Sequence, residues 1–207
     1  YTAKQAPAPD RPLRLLYVGQ LSEPKGVGDA IQALAILRRR GLDAQLTLVG
    51  AGEADRFMSL ARQQGVGEQI TLAGLLPHDR VLAEMRAHDV VLVPSHHDYP
   101  EGLPMTLYEA LCVRTPLVVS DHPMFALRIH DGEQALIHPQ RDPEAMANRI
   151  ERLVSDPQTY EEFSRRAEVS VQDYLCPLKW DRLLEDFLDP AARKNLRRYS
   201  LARHSYL

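Results

Sequence analysis

Hydrophobic positions in this chain follow two alternating patterns. Short apolar runs rich in branched residues, LRLLYVG (Leu13 to Gly19), AQLTLVG (Ala44 to Gly50), QITLAG (Gln69 to Gly74), DVVLVPS (Asp89 to Ser95), PLVVSD (Pro116 to Asp121) and ALIHP (Ala135 to Pro139), predict strands buried on both faces. Between them the spacing changes. Val27, Ala30, Ile31, Leu34 and Leu37 recur on one helix face, as do Val81, Leu82 and Met85, and later Met146, Ile150 and Leu153. Strands alternating with helices through short connections predict an α/β fold, an open parallel sheet of about six strands with helices on both faces. Beyond Asp142 only helical patterns remain, through DPEAMANRIERLVSD, QTYEEFSRRAEVSVQDYL and KWDRLLEDFL, which predicts a helical C-terminal extension. The first three runs end in glycine, so the backbone can turn tightly at the carboxyl edge of the sheet, where such folds bind ligands.

The flanks differ from this body. Residues 1–12, YTAKQAPAPDRP, are polar and proline-rich, the chemistry of a linker remnant, and predict a further folded part upstream. Residues 13–188 form the predicted domain. Residues 189–207 end in ARKNLRRYSLARHSYL, which carries Lys and Arg but no acid. That tail reads as a solvated terminal helix or as a basic patch for an anionic membrane surface or a lipid-linked acceptor.

Composition narrows the function. With 207 residues and 44% hydrophobic content the chain can build one generous domain or two small ones. A net charge of -3, from 25 Lys and Arg against 28 Asp and Glu, argues against a nucleic-acid partner, whose phosphates demand a basic surface. Cys112 and Cys176 lie far apart without histidines at metal spacing, which reads as reduced thiols in a cytoplasmic protein. No apolar run approaches membrane-span length.

The candidate chemistry lies on the carboxyl edge. After the first strand, VGQLSEPKG puts Lys25 just before a helix beginning near Gly26 or Val27; unpaired helix N–H groups and an ammonium suit a phosphate, although a solvated surface lysine has the same pattern. The second strand ends VGAGEAD, with Asp55 where a dinucleotide fingerprint would have its third glycine. The stretch PEGLPMTLYEAL sets Glu101 before a Gly102-Leu103 turn, Pro104 in the first turn of a helix, and Glu109 inside it. Amides of Gly102, Leu103, Met105 and Thr106 can converge on an anion or a sugar hydroxyl. The glutamates are too far apart along the helix for one acid/base pair, and ionised carboxylates accept well from vicinal diols. His96-His97-Asp98 invites a metal, but no third ligand stands at a recognisable spacing. No nucleophile elbow is present.

Taken in order, VGQLSEPKG, LVGAGE, ITLAGLLP, VVLVPS, EGLPMTLYE, TPLVVSD, DGEQAL, RDPEAMANRI and KWDRLLEDFL resemble the C-terminal, donor-binding domain of the retaining family 4 glycosyltransferases of the GT-B fold. The resemblance implies a Rossmann-like donor domain over residues 13–188. Gly19, Gln20, Lys25 and Gly26 would hold the diphosphate, Leu75 and Leu76 would frame the base, and the backbone from Gly102 through Leu103, Pro104 and Met105 to Thr106 would cradle sugar and phosphate. Glu109 would hold the ribose, and Glu101, with Lys25 a catalytic group, would face the donor sugar. The partners implied are a nucleotide diphosphate sugar and an N-terminal acceptor domain, with no metal or other cofactor; the fragment would not turn over alone. Two departures stand out: Gln20 replaces a common arginine, and Asp121-His122-Pro123-Met124 replaces a frequent glycine-rich turn. The missing cation motivates an alternative, a non-catalytic sugar-nucleotide-binding or assembly module.

Overall fold

A computed structural model of the chain describes residues 1–126, 128–172 and 180–191. Six strands form one parallel sheet: β1 (Leu13–Val18), β2 (Ala44–Val49), β3 (Ile70–Gly74), β4 (Val90–Val93), β5 (Leu117–Ser120) and β6 (Leu136–His138). Their order is β3-β2-β1-β4-β5-β6, so the chain reverses direction across the sheet between β1 and β4. That reversal opens a crevice at the carboxyl ends of these two central strands. The helices are α1 (Val27–Arg39), α2 (Ala54–Gln63), α3 (His78–Ala87), α4 (Met105–Cys112), the single turn α5 (Pro123–Ala126), α6 (Pro143–Ser155), α7 (Pro157–Gln172) and α8 (Trp180–Leu188).

Strand alternation assigns the two faces. Leu13, Leu15 and Tyr17 of β1 share one apolar cluster with Leu46, Leu48, Val90, Leu92 and the buried stripe of α1, and Met146, Ile150 and Leu153 of α6 complete it. Leu16, Val91, Leu117 and Val119 face the other way, fully buried, as are Met85 of α3 and Leu107 of α4. Each buried Leu, Ile or Val contributes roughly 1.5–3 kcal/mol by leaving water. Edge strand β3 departs from the sequence expectation of burial on both faces: Ile70 is covered, while Leu72 is 40% exposed. With a neighbour on one side only, β3 loses the flanking helix cover that its inner partners enjoy.

The chain divides into two compact units, residues 1–173 and 174–207. In the second, α8 carries Leu184, Phe187 and Leu188 exposed, and Arg182 lies 3.4 Å from Asp186 one turn on. The basic stretch 192–207 lies outside the described residues.

Residues 1–12 form no helix or strand, yet they are tied to the amino edge of the sheet. The Lys4 amide donates to Ser164 Oγ at 2.6 Å, and its ammonium donates to the carbonyls of Arg86 and His88. Burial pulls the Lys4 ammonium down to about 8, partly offset by Asp89. Arg11 forks both guanidinium nitrogens onto Asp89 at 2.7 Å, and the Arg14 amide adds a third bond at 2.8 Å. Burial alone would raise the Asp89 carboxyl, but those donors outweigh it and hold the group below the ordinary carboxylate range.

Candidate functional site

The loops leaving β1, β2 and β3 are laced together. Gly19 N donates to Val49 O, Leu21 N to Ala51 O, and Gly50 N to Gly74 O, at 2.8 to 3.0 Å. Such close backbone approach requires glycine at position 50: its φ is 142°, and a Cβ there would lie 1.8 Å from the Gly19 carbonyl oxygen. Along these loops runs a groove of about 400 Å³, lined by Gly19, Gln20, Gly50, Leu75, Leu76 and Val81. Leu75 stands 78% exposed at its rim. Four of the sequence-predicted site residues, Gly19, Gln20, Leu75 and Leu76, therefore meet in one place. A larger hollow of about 570 Å³ beside α6 and α7 has a largely polar lining in which Arg165 and Arg166 pair with Glu162.

The second part of the site begins where β1 hands over to α1. A 3-10 turn, Glu23–Lys25, ends on Gly26 at φ 72°, and α1 starts at Val27 without a capping side chain. Gly26 is forced twice over, because a Cβ would also lie 2.1 Å from the Pro94 carbonyl oxygen after β4. This close approach brings Lys25 against the loop that carries Glu101. The two form an ion pair, their side chains 12% and 10% accessible. Ser95 Oγ donates to the same Glu101 Oε2 at 2.9 Å, and Lys25 Nζ lies 4.6 Å from the centre of the Tyr99 ring. Tyr17 closes the floor, its hydroxyl donating to Gln20 O at 2.7 Å; burial, then the nearby Glu101 charge, push its phenol far up, so it stays neutral.

This arrangement refines the expectation from sequence. The resemblance assigns Lys25 and Glu101 to opposite parts of a ligand, diphosphate and sugar, but here they hold each other. The sequence predicts Pro104 in the first helical turn; instead it is the N-cap, extended at φ -68° and ψ 142°, and α4 begins at Met105. The shift leaves the first-turn amides of Met105 and Thr106, next to Gly102 and Leu103, as unsatisfied donors for solvent or ligand. Met105 is 65% exposed. Glu109 sits one turn further in, largely covered, with Oε1 3.3 Å from His78 Nδ1 at the start of α3. Since His78 directly follows Leu75, Leu76 and Pro77 in the chain, this contact ties Glu109 to the segment that supplies two of the groove's lining residues, while Glu101 pairs with Lys25.

The residues that the sequence patterns do not single out are Tyr17, His78, Ser95 and Tyr99. Ser95 is visible in VVLVPS at the end of a strand, but nothing local marks a serine as the partner of a glutamate six positions on. The histidine pair separates as adjacent side chains do. His96 is buried, bonding Asp29 of α1 at 2.7 Å through Nε2 and Pro24 O at 2.8 Å through its amide. His97 bonds Asp121 Oδ1 at 2.8 Å, and His122 Nε2 lies 3.2 Å from Tyr99 O, so Asp121 and His122 do close the loop that departs from the glycine-rich pattern. Among the described residues no three His, Cys, Asp or Glu side chains gather around a common point for a metal.

Residues 2–169 match the family model described as glycosyl transferases group 1. The chain belongs to that family. A curated relative, alpha-D-kanosaminyltransferase of Streptomyces kanamyceticus, is 34% identical over 160 residues, 76% of this chain and 40% of that protein. The chain thus spans well under half of that relative's length. Among solved structures, the C-terminal domain of a group 1 glycosyl transferase from Francisella tularensis superposes with a TM-score of 0.69 at 18% identity, covering 78% of this chain and 85% of that one. Anabaena HepE in complex with UDP-glucose gives 0.70 at 20% identity over 78% of this chain and 44% of that one. At such identities the two structures establish the fold: a Rossmann-like α/β domain of the GT-B kind.

Proposed function

We propose that this chain is the donor-binding half of a retaining family 4 glycosyltransferase, moving a hexosyl-type group from a nucleotide diphosphate sugar to an acceptor hydroxyl. One observation carries the reading: at the strand-order reversal an ammonium paired with a carboxylate stands beside Gly19, which lines the apolar groove, and an uncapped helix follows each partner closely in the chain. The base lies along Leu75 and Leu76, the ribose hydroxyls donate to Glu109, and the diphosphate reaches Gly19, Lys25 and the helix starts after Gly26 and Pro104. Glu101 accepts from the sugar and opposes positive charge growing at the anomeric carbon. Loss of the nucleoside diphosphate is the difficult step, and Lys25 with helix-end amides stabilises the charge that develops on it without a metal. The acceptor is held by an N-terminal domain outside this chain, so the present residues bind donor and do not turn over alone. We place the enzyme in the cytoplasm; an encounter of its basic tail with a membrane face concerns residues outside those described.

A second reading, a sugar-nucleotide-binding or assembly module without catalysis, draws on Gln20, which offers hydrogen bonds but no charge at the groove. Assay of the full-length protein with UDP-, GDP-, ADP- and dTDP-glucose separates the two. Turnover with the anomeric configuration kept, read by NMR of the product, is expected. An inverted product refutes retention, and binding without turnover on any acceptor favours the module.

A further inference from the structure

Lys25 is engaged by Glu101, flanked by the Tyr99 ring and only 12% accessible, so a phosphate can reach its ammonium only in competition with that carboxylate. We infer that Glu101 is a specificity determinant acting against bare nucleoside diphosphate: it holds Lys25 until a ligand brings a hydroxyl to take the ammonium's place on the carboxylate. The inference rests on the nucleotide-sugar reading of this site.

Charge and available partners decide the preference. The Glu101 side chain is 10% accessible, so a diphosphate that draws Lys25 away strands a largely covered carboxylate with Ser95 Oγ as its remaining donor. Leaving a covered charge without its partner is costly. If Lys25 stays, its three N–H donors must face a carboxylate and phosphate oxygens together, and the anions repel at short range. The neighbouring chain offers little relief. Gln20 is neutral, and Arg56 is already taken by Glu23 at 2.9 Å and Glu53 at 2.6 Å. A sugar on the diphosphate changes the balance. Among the described residues both bonds to Glu101 fall on Oε2, so a sugar hydroxyl can donate to Oε1, or replace the ammonium on Oε2, and the carboxylate keeps its partners while Lys25 turns to phosphate. The donor is therefore bound intact in preference to the leaving nucleotide, and the product is expelled once the sugar is gone.

The test is calorimetric titration of the full-length protein with UDP, GDP, ADP and dTDP and the glucose conjugate of each. For wild type, the preferred conjugate binds at least tenfold tighter than its bare diphosphate. Glu101→Gln, shown folded by its melting curve, binds the bare diphosphate about tenfold tighter than wild type and the conjugate no tighter, so the selectivity collapses. Glu101→Ala is the second variant and moves in the same direction. The gain disappears when Lys25→Met is added, because it arises from releasing that ammonium. Unchanged or weaker binding of bare diphosphate by the folded variants overturns the inference while leaving the site reading intact, and so does a gain that survives Lys25→Met. Failure of wild type to bind any of the eight ligands overturns both.

Discussion

Asp89, buried, and Glu101, largely covered, are two carboxylates facing cations at opposite edges of the same sheet, and they are built differently. On the amino edge, Asp89 is 2% exposed and saturated, with a forked Arg11 on both oxygens and the Arg14 amide on one of them. Nothing is left for a ligand to use. On the carboxyl edge, Glu101 takes a flexible ammonium and a hydroxyl on a single oxygen, next to an uncapped helix start and an open groove. A guanidinium fork fixes geometry, whereas an ammonium is a point charge that can be redirected. The first pair fastens residues 1–12 to the fold; the second is poised to exchange partners. Burial of a charge pair alone does not separate a fastening from a site; unused bonding capacity does.

The largest expected effect falls on the exchangeable pair. On the proposed function, Lys25→Met removes the cation assigned to the leaving diphosphate, and kcat/KM of the full-length protein is expected to fall by about 10²–10³-fold, the usual consequence of losing one stabiliser of developing negative charge. Its melting temperature falls less than that of Asp89→Asn. A Lys25→Met enzyme with near-normal turnover would erase the distinction between the two edges.

Asp89→Asn is the reciprocal change. It leaves Arg11 without a charge partner and costs about 3 kcal/mol of stability, read by urea unfolding, with donor affinity unchanged. The pH dependence has a definite sign. The folded-state Asp89 carboxyl lies below its ordinary value because Arg11 and Arg14 outweigh burial. Its contribution is therefore complete above the unfolded carboxylate range near pH 4 and is lost as pH falls through the lower folded value. Wild type should lose stability across that acid window more steeply than Asp89→Asn; parallel curves would show that Asp89 is not the linked group.

How much of this could be read from sequence differs between the edges for the same reason. The strands, the helix phases and the order of Lys25, Glu101 and Glu109 are legible because each rests on local period or spacing. Apolar runs at Leu13, Ala44 and Asp89 can only be strands in an alternating fold, and the glycine at 26 marks a helix start. The Lys25 to Glu101 pairing is not legible, since it spans 76 positions and depends on Gly26 nestling under Pro94. The Arg11 to Asp89 fork is hidden likewise: a proline-rich lead-in reads as linker, and only the fold brings Asp89 to meet it. Edge strand β3 has the composition of an inner strand, because apolar runs do not reveal which neighbour is missing.

Glu109→Ala tests the boundary between groove and charge. Its loss of a charged hydrogen bond should weaken every nucleotide sugar by about ten- to a hundredfold, with no preference among sugars, in titrations against conjugates that share a base. Unequal losses across sugars would move Glu109 from the ribose toward the sugar end and collapse the two-part reading of the site.

Leu75→Ala has the smallest expected effect and separates the groove from the fold most cleanly. The side chain is 78% exposed, so its removal leaves no cavity and shifts stability by less than about 0.5 kcal/mol. A base laid along the groove would cover that surface. At about 25 cal/mol per Å² of apolar surface that the base no longer covers, truncation should weaken all nucleotide ligands by roughly three- to tenfold, bare or sugar-bearing alike. The signature is the equality of the two reductions. The proposed reading sets Leu75 at the end of the site that does not tell donor from product, so a Leu75→Ala enzyme that changes the ratio of the two affinities would place the discriminating group in the groove and take that role away from Glu101.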